Sequence, residues 1–279
     1  MKLLRAVFAH PSGRIGGAIV LLFVALALAS LIGLTPYDPI AQNRLQRLQP
    51  PNSHFLMGTD LFGRDVASRL MAGLRQSFTV AVLSVAVAAS CGTLIGLLSA
   101  WWGGWRDTVL MRVMDVLLAF PAILLALLIV AVLGPGTITS VFAIAIVYTP
   151  IFSRVARGPA LSLKSREFVE AARTFGSSQV FILSHHLLLN LVGTLTVQVT
   201  LALAWALLTE ASLSFLGLGT QPPSPSLGLM LSDSRNLMEM APWLMIFPGL
   251  TVMFSILGFN LLGDALRDIV DPRSRGRQA

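Results

Sequence analysis

Residues 116–153 read VLLAFPAILLALLIVAVLGPGTITSVFAIAIVYTPIFS, thirty-eight positions without one charged side chain. As a single helix this run would reach about 57 Å, nearly twice the hydrocarbon thickness of a bilayer. It must therefore hold two spans, and Leu133-Gly134-Pro135-Gly136 supplies the turn between them. Immediately after it comes RVARGPALSLKSREFVEAARTFGSSQVFILSHHLLLN, residues 154–190, a long polar interruption. Within it Phe168, Ala171, Ala172 and Phe175 fall at i, i+3, i+4 and i+7, one apolar helical face, while Arg166, Glu170 and Arg173 fall on the other. Gly176 supplies a left-handed residue to end that helix, and Ser177 or Ser178 caps the next. Such a segment buries little by itself and reads as a docking element.

Working outward, Ile15 to Leu34 is twenty uncharged residues, enough for one crossing. The fourteen-residue leader is long for a cleaved signal peptide, which favours a retained span over removal at the small residues 27–30. The segment from Thr35 to Arg75 is polar and proline-bearing, an external loop with one amphipathic piece from Arg64 to Leu74. Spans are expected at about 15–34, 76–102, 110–133, 137–153, 187–209 and 240–263. The expected fold is thus all-α and polytopic, with six transmembrane helices. The organisation is an N-terminal span and loop over 1–75, a core over 76–272 that includes the polar segment 154–186, and a tail over 273–279.

Composition agrees: the 279 residues are 55% hydrophobic and 12% charged, with mean hydropathy +0.77, which describes a membrane protein. The net charge of +7 is not a nucleic-acid stripe. Six spans put fourteen of the twenty Lys and Arg on the side of the termini and the 154–186 segment, which places that side in the cytoplasm. Cys91 has no disulfide partner and reads as a small buried hydrophobe.

No catalytic constellation appears. The two lysines, Lys2 and Lys164, do not follow a glycine, so there is no phosphate-binding loop of the G-x4-GK[ST] kind and energy must come from another polypeptide. Adjacent His185 and His186 point about 100° apart on a helix and lack a carboxylate or Cys cluster, so no metal site is expected. Asp60, Arg64, Asp65 and Arg69 read as solvated ion pairs that fasten the loop. Asp115 is expected to pair with Arg112. Gln198 and Glu210 are the polar groups of the fifth span that suit a path through the membrane or a helix contact. Pro121, Pro150 and Pro248 are expected to interrupt spans three, four and six.

Several motifs then resemble one family in order along the chain. Glu170-Ala171-Ala172, three residues, then Gly176 follows the EAA-x3-G signature of ABC importer permeases. The signature continues as x9-I-x-L-P, where this chain has His186, Leu188 and Leu189. Losing the proline should make the join to the next span more continuous. LMGTDLFGRDVASRLMAGLRQS at 56–77 resembles the LGTDxLGRDxxSRLxxGxRxS segment of the dipeptide, oligopeptide and nickel branch. WWGGWRDTVLMRVMDVLLAFP at 101–121, ASLSFLGLGTQPPSPSLGLMLSDSRNLMEMAPW at 211–243 and FNLLGDALRDIVDP at 259–272 resemble it too, so the likeness runs from about residue 36 to 272.

The resemblance implies a type I permease core of five helices plus one N-terminal helix, in a bacterial inner membrane with both termini cytoplasmic. It implies a second homologous permease, two cytoplasmic ATPases that carry ATP and Mg, and an extracytoplasmic solute-binding protein. It implies that 154–186 contains the coupling helix, with Phe168 and Phe175 as anchors, Ala171 and Ala172 allowing close approach, Glu170 making a charge contact and Gly176 setting the angle. The substrates would be di- or oligopeptides or nickel chelates. A secondary transporter or channel working without an ATPase is the alternative.

Overall fold

A computed structural model of the chain describes residues 2–270; the expected tail 273–279 lies outside the described residues. The helices, in order, are α1 (Lys2–Ala9), α2 (Pro11–Leu31), α3 (Val66–Trp102), α4 (Gly104–Leu118), α5 (Ala122–Leu133), α6 (Thr137–Lys164) and α7 (Glu167–Thr174). Then follow α8 (Gln179–Phe215), α9 (Leu227–Ser234) and α10 (Trp243–Val270). Among the described residues there is no strand, only an isolated bridge between Thr59 and Asp65.

Five helices, α2, α3, α6, α8 and α10, are long and apolar enough to cross a membrane, and α4 with α5 makes a sixth if the pair counts as one span. That pair is bent by 91°. The cause is Pro121, which ends helical pairing after Leu118 and starts α5 afresh. Pro150 and Pro248 behave differently from expectation, for each lies inside a continuous helix. A proline is tolerated there because packed neighbours and local adjustment satisfy the freed carbonyl.

The helices also outrun the expected spans. Charged residues do not end a helix; they only leave the hydrocarbon. Thus α6 runs on past Arg154 and Arg157 to Lys164, and α3 begins at Val66, absorbing the amphipathic piece into one continuous rod. Asp65 starts that rod by accepting the Ser68 N–H at 2.8 Å, an N-cap that satisfies an otherwise orphaned donor.

The α3–α6 pair is the spine of the bundle. It is close because Gly92 and Gly96 face it: a Cβ at Gly92 would lie 2.5 Å from the Thr149 carbonyl oxygen, and one at Gly96 would overlap the Ser153 carbonyl. Around this spine Leu74, Ile144, Phe152, Leu207 and Leu213 are fully buried. A second, smaller core of Leu97, Ala100, Ala156, Ala160, Val169, Ile182, Leu187 and Leu191 lies beneath α7. Cys91, expected to be buried, is exposed, because it sits on the side of α3 away from the other helices.

Candidate functional site

Residues 165–188 form a compact structure at the ends of α3 and α6. Ser165 and Arg166 break the chain out of α6, and α7 then starts with Glu167 and Glu170 in its first turn and Arg173 in its last, charges that suit the helix dipole. Its end is a Schellman motif. Gly176 has φ +79°, its N–H donates to the Arg173 carbonyl at 2.9 Å, and the Ser177 N–H reaches back to Ala172 at 2.9 Å. The Ser178 hydroxyl then accepts the Phe181 N–H at 3.3 Å and opens α8.

α8 runs without a break from Gln179 to Phe215, with a π-helical turn over Ile182–Leu188. The leucine at 189, where the family signature has proline, leaves that backbone able to pair continuously. The extra residue of a π turn is accommodated within the continuous helix, a device that recurs at functional sites. His185 and His186 lie in this turn as aromatic neighbours of Phe181, at 4.4 Å stacked and 5.6 Å edge-on.

Val169 was not singled out from sequence, yet it is the residue of α7 that anchors the helix to the protein, fully buried in the smaller core with Ala172 beside it. Burying such a side chain stabilises by about 1.5–3 kcal/mol. The face that docks inward is therefore Val169 and Ala172, an i, i+3 pair that the periodicity also allowed. Phe168 remains 42% exposed and leans on His186 at 5.9 Å, and Phe175 is 88% exposed. Ala171 and Glu170 are exposed as well, and Glu170 has no ion-pair partner among the described residues. Two aromatic rings and an unpaired carboxylate thus stand outward on a helix whose opposite side is fixed.

The supporting frame is ionic. Arg157 donates to Asp107 through Nε at 2.7 Å and Nη2 at 2.5 Å, and the Ser99 hydroxyl donates to the same carboxylate. Asp115 pairs with Arg154 at 2.6 Å across the α4–α6 contact, not with Arg112 as expected. The side chain of Arg112 is exposed, and Arg154 presents its fork from the facing helix. Trp101 Nε1 donates to Gln179 Oε1 at 3.2 Å, and the Arg173 guanidinium lies 4.3 Å from the Trp101 ring centre. Trp101, in the double tryptophan that ends α3, therefore fastens α7 and α8 to α3.

Of the two α8 residues singled out from sequence, Gln198 is half-buried and its side chain makes no hydrogen bond to another described residue. Glu210 is 1% exposed, deep between α3, α8 and α9. Its Oε1 accepts from the Ser214 hydroxyl at 2.7 Å, and its Oε2 is buried with no hydrogen-bond partner among the described residues. At the far end of the molecule, Arg64, Asp65 and Arg69 prove buried and Asp60 partly buried beside them, rather than solvated. Asp60 receives Arg64 Nε at 2.6 Å and lies 3.4 Å from Arg69 Nε, and Arg69 is 2% exposed. The loop folds back over the start of α3, which removes these groups from water.

The chain matches the family described as binding-protein-dependent transport system inner membrane component over residues 92–276. It is 42% identical over 261 residues to the dipeptide transport system permease protein DppC of Alkalihalophilus pseudofirmus, covering 94% of this chain and 86% of that protein. It is 41% identical to the di/tripeptide transport system permease protein DppC of Pseudomonas aeruginosa, covering 95% and 90%. It is 43% identical to the glutathione transport system permease protein GsiD of Pectobacterium atrosepticum, covering 92% and 85%.

Proposed function

The chain belongs to the binding-protein-dependent transport inner membrane component family, the multi-pass permease subunits of ABC importers that are not themselves ATPases, and we propose that it carries di- or oligopeptides across the cytoplasmic membrane under the drive of a separate ATPase. The peptide class rests on relatives named for dipeptides, di/tripeptides and glutathione. The observation that carries the coupling role is α7: Phe168, Phe175 and Glu170 face outward from a helix fixed by Val169 and Ala172 and ended at Gly176. A groove on an ATPase that received the two rings would hold the helix as a rigid body, so closure of paired ATPases, each with Mg and ATP, would be passed to α3 and α6. A second, homologous permease completes the path, and a solute-binding protein delivers the peptide at the opposite face. Nickel chelates are the less supported cargo, since none of these three relatives is named for them.

The side of the membrane follows from charge. Fourteen of the twenty Lys and Arg accompany both termini and α7, which puts them in the cytoplasm. A cysteine placed at Arg166 is then labelled only from the cytoplasmic side and one at Asn43 only from outside; the reverse pattern overturns the topology.

Gln198 is the residue of α8 assigned to the path, because it is a half-buried amide with its hydrogen-bonding capacity unused. The Glu210 carboxyl, buried and bonded to Ser214 one turn on in the same helix, is not assigned to the path. Gln198→Leu should lower uptake while assembly and basal ATP hydrolysis stay near normal, whereas loss of assembly would mark it as a packing bond. The deciding experiment for the function as a whole is co-purification with the subunits encoded beside this chain, followed by reconstitution. Peptide uptake that requires a co-purified ATPase and its binding protein is expected. Uptake by the chain without an ATPase would establish a secondary transporter or channel.

A further inference from the structure

Behind α7, a cavity of about 380 Å³ opens between the ends of α3, α6 and α7 and the start of α8, lined by Trp101, Lys164, Arg173, Ser177, Gln179 and Ile182. Its chemistry is one-sided. The Ala100 and Trp101 carbonyls beside it are engaged, accepting from Lys164 Nζ at 3.0 and 2.5 Å, and so is Gln179 Oε1, which accepts from the Trp101 indole. The donors are not. The Arg173 guanidinium stacks on Trp101 but makes no hydrogen bond or ion pair with a described residue. Lys164 has three N–H groups and two are used. The Gln179 amide N–H pair and the Ser177 hydroxyl also have no partner among the described residues, and no acidic side chain lines the space. Two cations and unpaired donors around a cavity lined by no carboxylate are the complement of an oxyanion, with Arg173 offering the planar fork that suits phosphate.

The location selects the source. Trp101 and Lys164 are the penultimate and last residues of two spanning helices. Beside them Trp102 and Trp105 are exposed, with the Arg106 guanidinium 5.6 and 5.9 Å from their ring centres. Exposed tryptophans with arginine at span ends mark the headgroup layer. We propose that this cavity binds the phosphate of an anionic phospholipid from the adjoining leaflet. The lipid bridges α6 through Lys164 to α7 through Arg173, so it braces the base of the outward-facing helix. The proposal does not depend on which solute the chain carries.

The test uses the full chain purified in a neutral detergent and titrated with phosphatidylglycerol or phosphatidylcholine, with bound lipid counted by native mass spectrometry. Phosphatidylglycerol should bind in preference, and Arg173→Gln should weaken it about fivefold, the effect of one interfacial cation, while Arg173→Lys, which keeps the charge but loses the fork and the Trp101 stack, should fall between wild type and Arg173→Gln. Ser177→Ala, which leaves the Arg173–Trp101 stack intact, should weaken binding to a smaller degree, and Arg112→Gln on α4, outside the cavity, should not change it. Equal binding of the two lipids, or unchanged affinity in Arg173→Gln, overturns the proposal. If inorganic phosphate displaces the lipid from the wild-type chain but has no effect on Arg173→Gln, the site belongs to a soluble anion and the lipid source is wrong. If Arg173→Gln keeps its lipid but loses a co-purified ATPase, the cavity serves a protein carboxylate and the lipid is again excluded.

Discussion

At one end of α3, charged side chains are buried; at the other, aromatic side chains are exposed. Around Asp65 and Arg69 the loop encloses a set of ions, with Asp60 accepting the backbone N–H groups of Phe62 and Arg64 at 2.8 and 3.0 Å as well as the Arg64 side chain. Near Trp101, Phe175 stands almost fully in the open on a helix whose own core contact is little more than Val169 and Ala172. Both arrangements invert the usual preference of charge for water and aromatic rings for the interior. The first is self-sufficient, since each ion has its partners within the chain. The second is incomplete, and an apolar surface held out on a fixed frame has its use in a complex.

The contrast is broken most readily at the ions. Asp60→Ala leaves Arg64 and Arg69 buried without their shared carboxylate, which should cost about 3–5 kcal/mol and appear as a lower melting temperature and reduced abundance in the membrane. A variant that accumulates and melts like the wild type would show that the loop ions are dispensable. Gly176→Val should cost less, about 1–2 kcal/mol, since a Cβ there meets nothing within 4 Å and the penalty lies only in the left-handed backbone. Its functional effect should nonetheless be large: normal abundance with ATPase retention or uptake lost, because α7 would be re-aimed. Normal uptake at normal abundance would reduce Gly176 to an ordinary helix cap. Phe175→Ala sharpens the comparison from the other side, with a change in stability of no more than about 0.5 kcal/mol and a clear loss of the co-purified ATPase. A fall in melting temperature instead would mean that the ring packs within this chain.

Features carried by residues close in sequence were legible before the structure. The apolar runs, the turn at 133–136, the left-handed Gly176 and the Ser178 cap all depend on neighbours within a turn or two, and they are found where periodicity and turn chemistry put them. Pairings between helices were not. Asp115 had a basic residue one turn away at Arg112, but its partner is Arg154, 39 positions on, and Asp107 meets Arg157 at a separation of 50. Which face of a short helix turns inward is similarly a tertiary matter: with four small or apolar candidates in α7, one step of register separates Val169 from Phe168. The burial of the Asp60 cluster was missed because charge in a loop normally means solvent, and only the fold of residues 35–65 over α3 removes it.

The two contrasted regions are joined by one uninterrupted helix. With 37 residues and no proline inside it, α3 is about 55 Å long, and close packing against α6 at Gly92 and Gly96 stiffens its inner half. A rod of this kind would act as a lever, with Asp65 at one tip and Trp101 at the other. A tilt of about 5° about one tip displaces the other by about 5 Å, close to the rise of a full helical turn. A small angular displacement at Trp101 would thus be returned at the loop as a movement the size of a side chain, with no hinge needed between.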